Sequence, residues 1–165
     1  MTLAAIDDGL FRRVLRRHAA AVVVVTTAGG DGPAGFTATS FTSVSLDPPL
    51  VSFCLAKAAS VWPSVSAATA VAVHVLTADQ EPVARVFATP GIDRFAEYER
   101  IGAWHRGPAG VPLLDDSLAV LICRIVNLVE AGDHMIVIAS PVHAEHHDDA
   151  DAAPLVYHDG AYTAL

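Results

Sequence analysis

The sequence predicts a mainly β protein, a barrel or sandwich closed to remove its edges and flanked by a few short helices. Three observations predict it. Short β-branched apolar runs recur along the chain, as in AVVVVTT from Ala21, LVSFCL from Leu50 and VAVHVL from Val71. Turn signals separate them, Gly29-Gly30-Asp31-Gly32-Pro33 foremost. No series of long helices alternates with the strands, which disfavours a doubly wound parallel sheet. The 165 residues fit one domain spanning 1–165, and no internal repeat or low-complexity linker divides them.

Taken in order, Asp7 and Asp8 cap a short helix on which Leu10, Phe11, Val14 and Leu15 recur at helical spacing. Arg12, Arg13, Arg16 and Arg17 fall on its other side and read as a solvated face. The run from Ala21 is a strand buried on both faces, and the glycine-rich turn returns the next strand antiparallel. That next strand, Gly35 to Leu46, reads GFTATSFTSVSL and ends at Asp47-Pro48-Pro49. Leu50 to Leu55 is a strand, Ser60 caps a short helix with Trp62 and Pro63 near its start, and Val71 to Leu76 is a strand. Glu81-Pro82 opens a helix through Phe87. Residues 89–117 read as a long irregular stretch, of the kind that is functional or forms an interface. Strands Leu118–Val126 and His134–Ser140 follow, joined around Ala131-Gly132-Asp133. A polar segment, His143 to Asp151, precedes a last hairpin of Leu155–Tyr157 and Ala161–Thr163.

Composition excludes several classes of function. Hydrophobic residues make up 53% and charged residues 17%, with a mean hydropathy of +0.44, too apolar for a disordered regulator. Ten Lys+Arg against eighteen Asp+Glu give a net charge of −8, so the chain lacks the basic face of a nucleic-acid binder. No apolar run approaches the roughly 20 residues that span a bilayer. The start, Met1-Thr2-Leu3 followed by Asp7 and Asp8, lacks the basic leader of an export signal. Cys54 and Cys123 each lie in an apolar run, where a thiol acts as a small hydrophobe. These features predict a reduced, cytoplasmic protein.

Chemistry concentrates in a ladder of hydroxyls: Thr37, Thr39, Ser40, Thr42, Ser43 and Ser45. As one continuous strand it would present Thr37, Thr39, Phe41, Ser43 and Ser45 on one face. Threonine forms strands well and serine is tolerated at sheet edges, which accounts for part of the pattern. Small hydroxyls also let backbone amides approach a large flat ligand with many acceptors. Lys57 is the only lysine; it reads either as an exposed loop lysine or, with Ser60 at a helix start, as part of a phosphate site that Arg85 could share or leave for solvent. His134 follows Gly132-Asp133 at a strand start, as a structural hydrogen-bonder or a site residue. The spacing of His143, His146, His147, Asp148, Asp149 and Asp151 matches no defined metal site, so none is assigned. Gly29-Gly30-Asp31-Gly32 leads into a strand and is no dinucleotide fingerprint. No serine sits in a nucleophile-elbow context.

The segments GFTATSFTSVSLDPPLVSFCL, KAAS, ARVFA and AGDHMIVIA together resemble the flavin-reductase-like family with the FMN-binding split barrel. Its members include the reductase components of two-component flavin-dependent monooxygenases. The likeness runs from about Phe11 to Tyr162, and T-A-x-S-F-x-S-V-S-L-D-P-P-L is its most specific piece. It implies a Greek-key split β-barrel that passes hydride from NADH or NADPH to FMN, or to FAD, and supplies reduced flavin by diffusion to a monooxygenase; the alternatives are a flavin-binding module or electron carrier without nicotinamide turnover, and a flavoprotein oxidoreductase acting on an organic substrate. It further implies that Thr37, Ala38, Thr39, Ser40, Phe41, Thr42 and Ser43 line the flavin. Ala56, Lys57, Ala58 and Ser60 would close over its ribityl-phosphate end, Arg85 would hold the phosphate, and Tyr157 would border the pocket. His134 would stand on the nicotinamide side, and a homodimer would place flavin near the subunit interface. One departure is the final hairpin, which carries Asp159, Ala161 and Thr163 where the family often has basic residues.

Overall fold

In the computed structural model, residues 6–147 and 152–165 are described. Helix α1 (Asp8–Leu15) starts at Asp7, whose carboxylate accepts the Leu10 amide at 2.9 Å. There follow β1 (Ala20–Ala21), β2 (Val23–Thr27), β3 (Ala34–Ala38), β4 (Thr42–Leu46), β5 (Pro49–Ala56), α2 (Trp62–Ala67), β6 (Ala70–Val75) and α3 (Glu81–Ala88). The second half holds α4 (Arg94–Tyr98), β7 (Trp104–Arg106), β8 (Pro112–Leu114), β9 (Ala119–Ala131), β10 (His134–His146), β11 (Leu155–His158) and β12 (Ala161–Ala164).

Seven strands form the main sheet in the order β3-β2-β6-β9-β10-β5-β4, each pair antiparallel. The order itself dictates the shape. β3 and β4 lie at opposite edges, yet only Thr39, Ser40 and Phe41 separate them in the chain. A flat sheet of this size would be roughly 29 Å across, at about 4.8 Å per strand spacing. Four Cα steps reach at most about 15 Å. The sheet therefore rolls until its edges meet, and Phe36 on β3 packs against Phe53 on β5 with ring centroids 5.9 Å apart.

Rolling explains why β2 is buried at every residue. Val23 and Val25 face the barrel interior with Phe36, Phe53, Val71, Val73 and Val137, while Val22 and Val24 face outward. The outward side is covered by α3, α4 and the terminal hairpin through Val83, Phe87, Phe95, Tyr98 and Leu155. The long hairpin β9–β10 turns the barrel's corner. Its tip half pairs with β5 and its base half with β6, and register shifts beside Val126 and Val142 bend it between the two.

The boundaries depart from the sequence reading at definite places. The predicted strand Gly35–Leu46 is two strands on opposite edges, so its hydroxyls do not share one continuous face, and a further register shift falls between Ser43 and Ser45. Residues 89–117 are not irregular throughout. They contain α4, capped by the Asp93 side chain, and the β7–β8 pair. β9 and β10 each run 13 residues, so the polar segment from His143 begins inside a strand, while its Asp148, Asp149 and Asp151 lie outside the described residues. Helix α2 starts from Val61 without a side-chain cap, so Ser60 is not the N-cap. Gly29 is required by its turn: at φ 63° a Cβ would stand 2.1 Å from the Gly32 carbonyl oxygen.

A buried histidine ties the outer layer to the sheet. His74 on β6 is fully buried; its Nδ1–H donates to the Val24 carbonyl at 3.1 Å, and its Nε2 accepts the Leu114 amide at 3.1 Å. Burial pushes its pKa down from 6.5 to about 4. The unfolded chain therefore takes up this proton before the folded one does. The stabilisation is complete above pH 6.5 and is lost as pH falls from there towards 4, by roughly 3 kcal/mol in total. Urea unfolding followed across this window should show that slope, and His74→Leu should flatten it while lowering stability at pH 8 by about 2–4 kcal/mol. An unchanged slope in the variant would remove His74 as its cause.

Candidate functional site

The link between β3 and β4 is where the barrel's backbone pairing lapses. Among the described residues, the amides of Thr39, Ser40 and Phe41 find no backbone partner. Thr39 and Ser40 are exposed, and Phe41 is half-buried against the interior core. Ser40 replaces the missing ladder with its side chain. Thr42 pairs with Ser52, so the register carried two residues further sets Ser40 opposite Cys54. There the Ser40 Oγ accepts the Cys54 amide at 2.8 Å and donates to the Cys54 carbonyl at 3.4 Å. Such a seam leaves three amides without a backbone partner among the described residues, beside side chains with small hydroxyls.

On the outer side of the seam, Thr37 donates its hydroxyl to the Ala84 carbonyl of α3 at 2.7 Å. Close packing beneath it demands Gly35, where a Cβ would meet Phe87 at 2.9 Å and the Val25 carbonyl oxygen at 3.0 Å. Arg85 follows Ala84. Its guanidinium pairs with Glu81 at 2.6 Å and lies over the Tyr162 ring at 5.0 Å. Tyr162 meets Tyr157 edge-on at 5.2 Å. Tyr157 lines a cavity together with Thr39, which returns the chain of contacts to the seam.

On the other side, β5 leads from Cys54 to Ala56, which pairs with His134. The Lys57 amide donates to the Asp133 carbonyl at 3.0 Å, and its ammonium pairs with Glu130. The His134 imidazole donates Nδ1–H to the Asp133 carboxylate at 2.7 Å, and its ring is exposed. Lys57 holds the Glu130 carboxyl below its usual value, and His134 does the same for Asp133, chiefly through these hydrogen bonds. Both pairs are exposed, so a phosphate could displace either carboxylate at little cost.

The remaining expected residues distribute as follows. Ala38 is buried inside the barrel; Thr42 and Ser43 are exposed on β4, and Ala58 is exposed beyond Lys57. Ser60 sits by a different cation from the one anticipated. It lines a cavity of about 260 Å³ with Ser64 and Arg94, whose guanidinium donates to the Gly35 carbonyl at 2.7 Å. Burial lowers the Arg94 pKa, and the Gly35 contact fixes its position. Lys57 and Arg85 are held by different carboxylates, and no described contact joins them. Sequence reasoning missed Arg94 because it lies within 89–117; Asp93, three residues before the Ala96 amide that it caps, was the available signal of a helix there.

Among the described residues, no group of three His, Cys, Asp or Glu side chains could hold a metal ion, and no helix is long and apolar enough to cross a membrane.

Comparison with known proteins agrees with this geometry. A sequence profile of the flavin reductase like domain matches residues 15–165. An NADH:FMN oxidoreductase of Rhodococcus qingshengii is 43% identical over 156 residues, covering 93% of this chain and 80% of its own. The reductase subunit of a flavin-dependent monooxygenase from Mycobacterium tuberculosis is 33% identical over 162 residues, 98% of this chain and 84% of its own. Among solved structures, an NADH:FAD oxidoreductase of Streptomyces globisporus C-1027, in complex with NAD and FAD fragments, superposes with a TM-score of 0.86 at 36% identity, over 99% of this chain and 97% of its own.

The seam makes its own prediction. Removing the Ser40 hydroxyl leaves Cys54 without a partner across the gap, so Ser40→Ala should lower unfolding free energy by about 1–2 kcal/mol, whereas Ser40→Thr should retain most of it. Equal stability of Ser40→Ala and the parent in urea would contradict this role.

Proposed function

This chain belongs to the flavin reductase-like family, and from that membership and the unpaired amides of its barrel seam we infer that it is an NADH-dependent flavin reductase acting on FMN or FAD. The observation that carries the reading is the run Thr39-Ser40-Phe41, three amides with no backbone partner among the described residues, flanked by the exposed hydroxyls of Thr39 and Ser43. The rim of an isoalloxazine ring presents carbonyl oxygens and ring nitrogens, which such donors match. When bound, the flavin accepts hydride at its own ring, and the protein contributes position and charge.

The work of the chain's residues follows from their placement. The seam amides and hydroxyls orient the ring rim, and Phe41 bounds it with apolar surface, whereas Ala38 is turned into the barrel core and is not available to it. Lys57, at the end of β5, offers its ammonium to the ribityl-phosphate, with Ala56, Ala58 and Ser60 forming the adjoining turn. Arg85 adds positive charge from α3 and fixes Tyr162, hence Tyr157, at the border. His134 keeps Nδ1 on Asp133 and, with its ring exposed, uses Nε2 to orient a nicotinamide amide or to donate to the reduced ring. No acid–base pair is required, because alignment of donor and acceptor carries the rate. Reduced flavin is delivered to a partner flavin-dependent monooxygenase by diffusion, which an open seam suits better than a sealed cavity. Both cysteines are free, in keeping with work in the reducing cytoplasm.

Two surfaces favour a homodimer. Leu10, Phe11, Val14 and Leu15 on α1 are all exposed, and Val44 and Leu46 stand out from the edge strand β4, Leu46 at 93% exposure. Sedimentation should give twice the chain mass of 17.2 kDa, and a monomer at micromolar concentration would exclude a stable dimer.

Anaerobic mixing with NADH and excess FMN should produce many turnovers of flavin reduction per protein. A single stoichiometric reduction, or bound flavin that stays oxidised, would defeat the reductase reading. His134→Ala should slow hydride transfer about tenfold or more while changing the FMN Kd far less. Lys57→Ala should weaken FMN more than riboflavin, which lacks the phosphate.

A further inference from the structure

Arg94, the first residue of α4, is a half-buried cation that forms no ion pair among the described residues. Its guanidinium is spent on two main-chain carbonyls instead. Nη1–H donates to Gly35 on β3 at 2.7 Å, and Nε–H donates to Thr89, just past α3, at 3.0 Å. One side chain thus fastens an edge strand to the ends of two helices. Its seat is fixed by its neighbours: Phe95 is buried and meets Phe87 edge-on at 5.3 Å, and the Asp93 carboxylate is occupied with the Ala96 amide at 3.0 Å. At the receiving end, Gly35 stands too close to Phe87 to carry a Cβ, so β3 lies flush against α3 at this point.

The bond matters because of where it falls on β3. That strand pairs with β2 on one edge and with no described strand on the other. Backbone groups two residues apart in a strand point to the same edge, so Gly35, Thr37 and Thr39 follow one another along the open one. Arg94 holds it at Gly35, the Thr37 hydroxyl ties the strand to the Ala84 carbonyl at 2.7 Å, and Thr39 begins the unpaired run. The closure between β3 and β5 has no backbone ladder, so side chains set it: Phe36 against Phe53 within the barrel, and Ser40 on Cys54 at the seam. Arg94 acts on the same strand from the helical layer, and a charged donor grips a carbonyl more firmly than a neutral one.

We propose that Arg94 is a positioning residue of the flavin site, acting through the Gly35 carbonyl to set where the amides of Thr39, Ser40 and Phe41 stand. The proposal rests on the reductase reading for the identity of the ligand, and on Arg94's own hydrogen bonds for the clamp. Arg94 also lines a cavity with Ser60 and Ser64, so a direct grip on the flavin phosphate is the competing role. Flavins with and without the phosphate separate the two.

The variant R94M removes both donors and keeps much of the aliphatic stem. It should weaken FMN and riboflavin by the same factor, about tenfold in Kd. It should also lower kcat with NADH at saturating FMN by about fivefold or more, because a misaligned ring accepts hydride slowly. Weakening of FMN alone would overturn the proposal in favour of a phosphate contact. Y98F, which removes the Tyr98–Ala103 hydrogen bond from the same helix, should lower stability in urea yet leave both Kd values and kcat within about twofold of the parent. Equal losses in Y98F and R94M would overturn the proposal in favour of a general loosening of α4, and unchanged flavin binding by R94M would overturn it outright. Should R94M not fold, R94K, which keeps the charge without the planar fork, should weaken both flavins in parallel by about threefold or more. A loss confined to FMN, or none, would then overturn the proposal. If the parent binds neither flavin, the reductase reading falls, and amide exchange still decides the clamp. The Cys54 amide, which donates to Ser40, should exchange about tenfold faster in the folded variant than in the parent, and an unchanged rate overturns the proposal.

Discussion

The structure depends on a length constraint: three residues must join the two outermost strands of a seven-stranded sheet. That bridge cannot be met by a flat sheet, and it forces the roll that buries Val23 and Val25 on one side of β2 and Val22 and Val24 on the other. The same constraint prevents the seam from zipping completely. Residues that leave one edge and enter the other cannot hold strand geometry on both, so the ladder lapses for three amides and Ser40 substitutes a side chain for a backbone partner. Exposed donors in a barrel wall are thus a by-product of its connection. A ligand with a rim of acceptors meets a surface that the fold had to leave open.

Hydroxyl residues suit this place for two reasons that the structure separates. Some are spent on the fold: Thr37 on the Ala84 carbonyl and Ser40 on Cys54. Others, Thr39 and Ser43, remain exposed. Larger side chains would cover the amides, and apolar ones would leave Cys54 unpartnered. Electrostatics adds a second layer. The chain is acidic overall, so each cation near the seam raises the local potential against a negative background. Lys57 and Arg85 are each neutralised by one exposed carboxylate. Those carboxylates keep the cations in place without binding them tightly, which favours exchange of a diffusing anionic ligand over permanent capture.

Legibility in the sequence followed the range of the interaction. Local signals read correctly: the Asp7 cap, the double-sided burial of β2, the antiparallel return after Gly29, Pro63 and Pro82 in first turns, and the hairpin turning at Asp159-Gly160. GFTATSFTSVSL misled because strand propensity is continuous across Thr39–Phe41, whereas the break is imposed by which strands are neighbours in space. Ser60 misled similarly, since a hydroxyl one position before the true cap satisfies the sequence rule but not the geometry. The resemblance implied what periodicity could not, an association of Lys57, Arg85, His134 and Tyr157 with one ligand. Contacts of long sequence separation, such as Arg94 with Gly35, carried no signal in either reading.

Each wall of the seam comes from a distant part of the chain. The Thr39 side is closed by α1 and by the terminal hairpin, which meets β1 through Ala20 opposite Tyr157, while the Ser40 side is closed by β5 and the tip of β9–β10. The tip is held by the Lys57 amide on Asp133, at the end of a ladder of six paired residues. The hairpin tip rests on a two-residue strand and one amide, Asp159 to Arg16, while the hairpin base is tied in by buried Leu155, whose amide and carbonyl bond Leu76 and Val22. Opening costs scale with the hydrogen bonds and apolar area that must be broken, so α1 and the hairpin tip are cheaper to displace than the β5 wall or the buried hairpin base. The seam therefore has two unequal walls, a firmly paired one on the β5 side and a loosely fastened one at α1, and an open site that exchanges its ligands is served by that asymmetry.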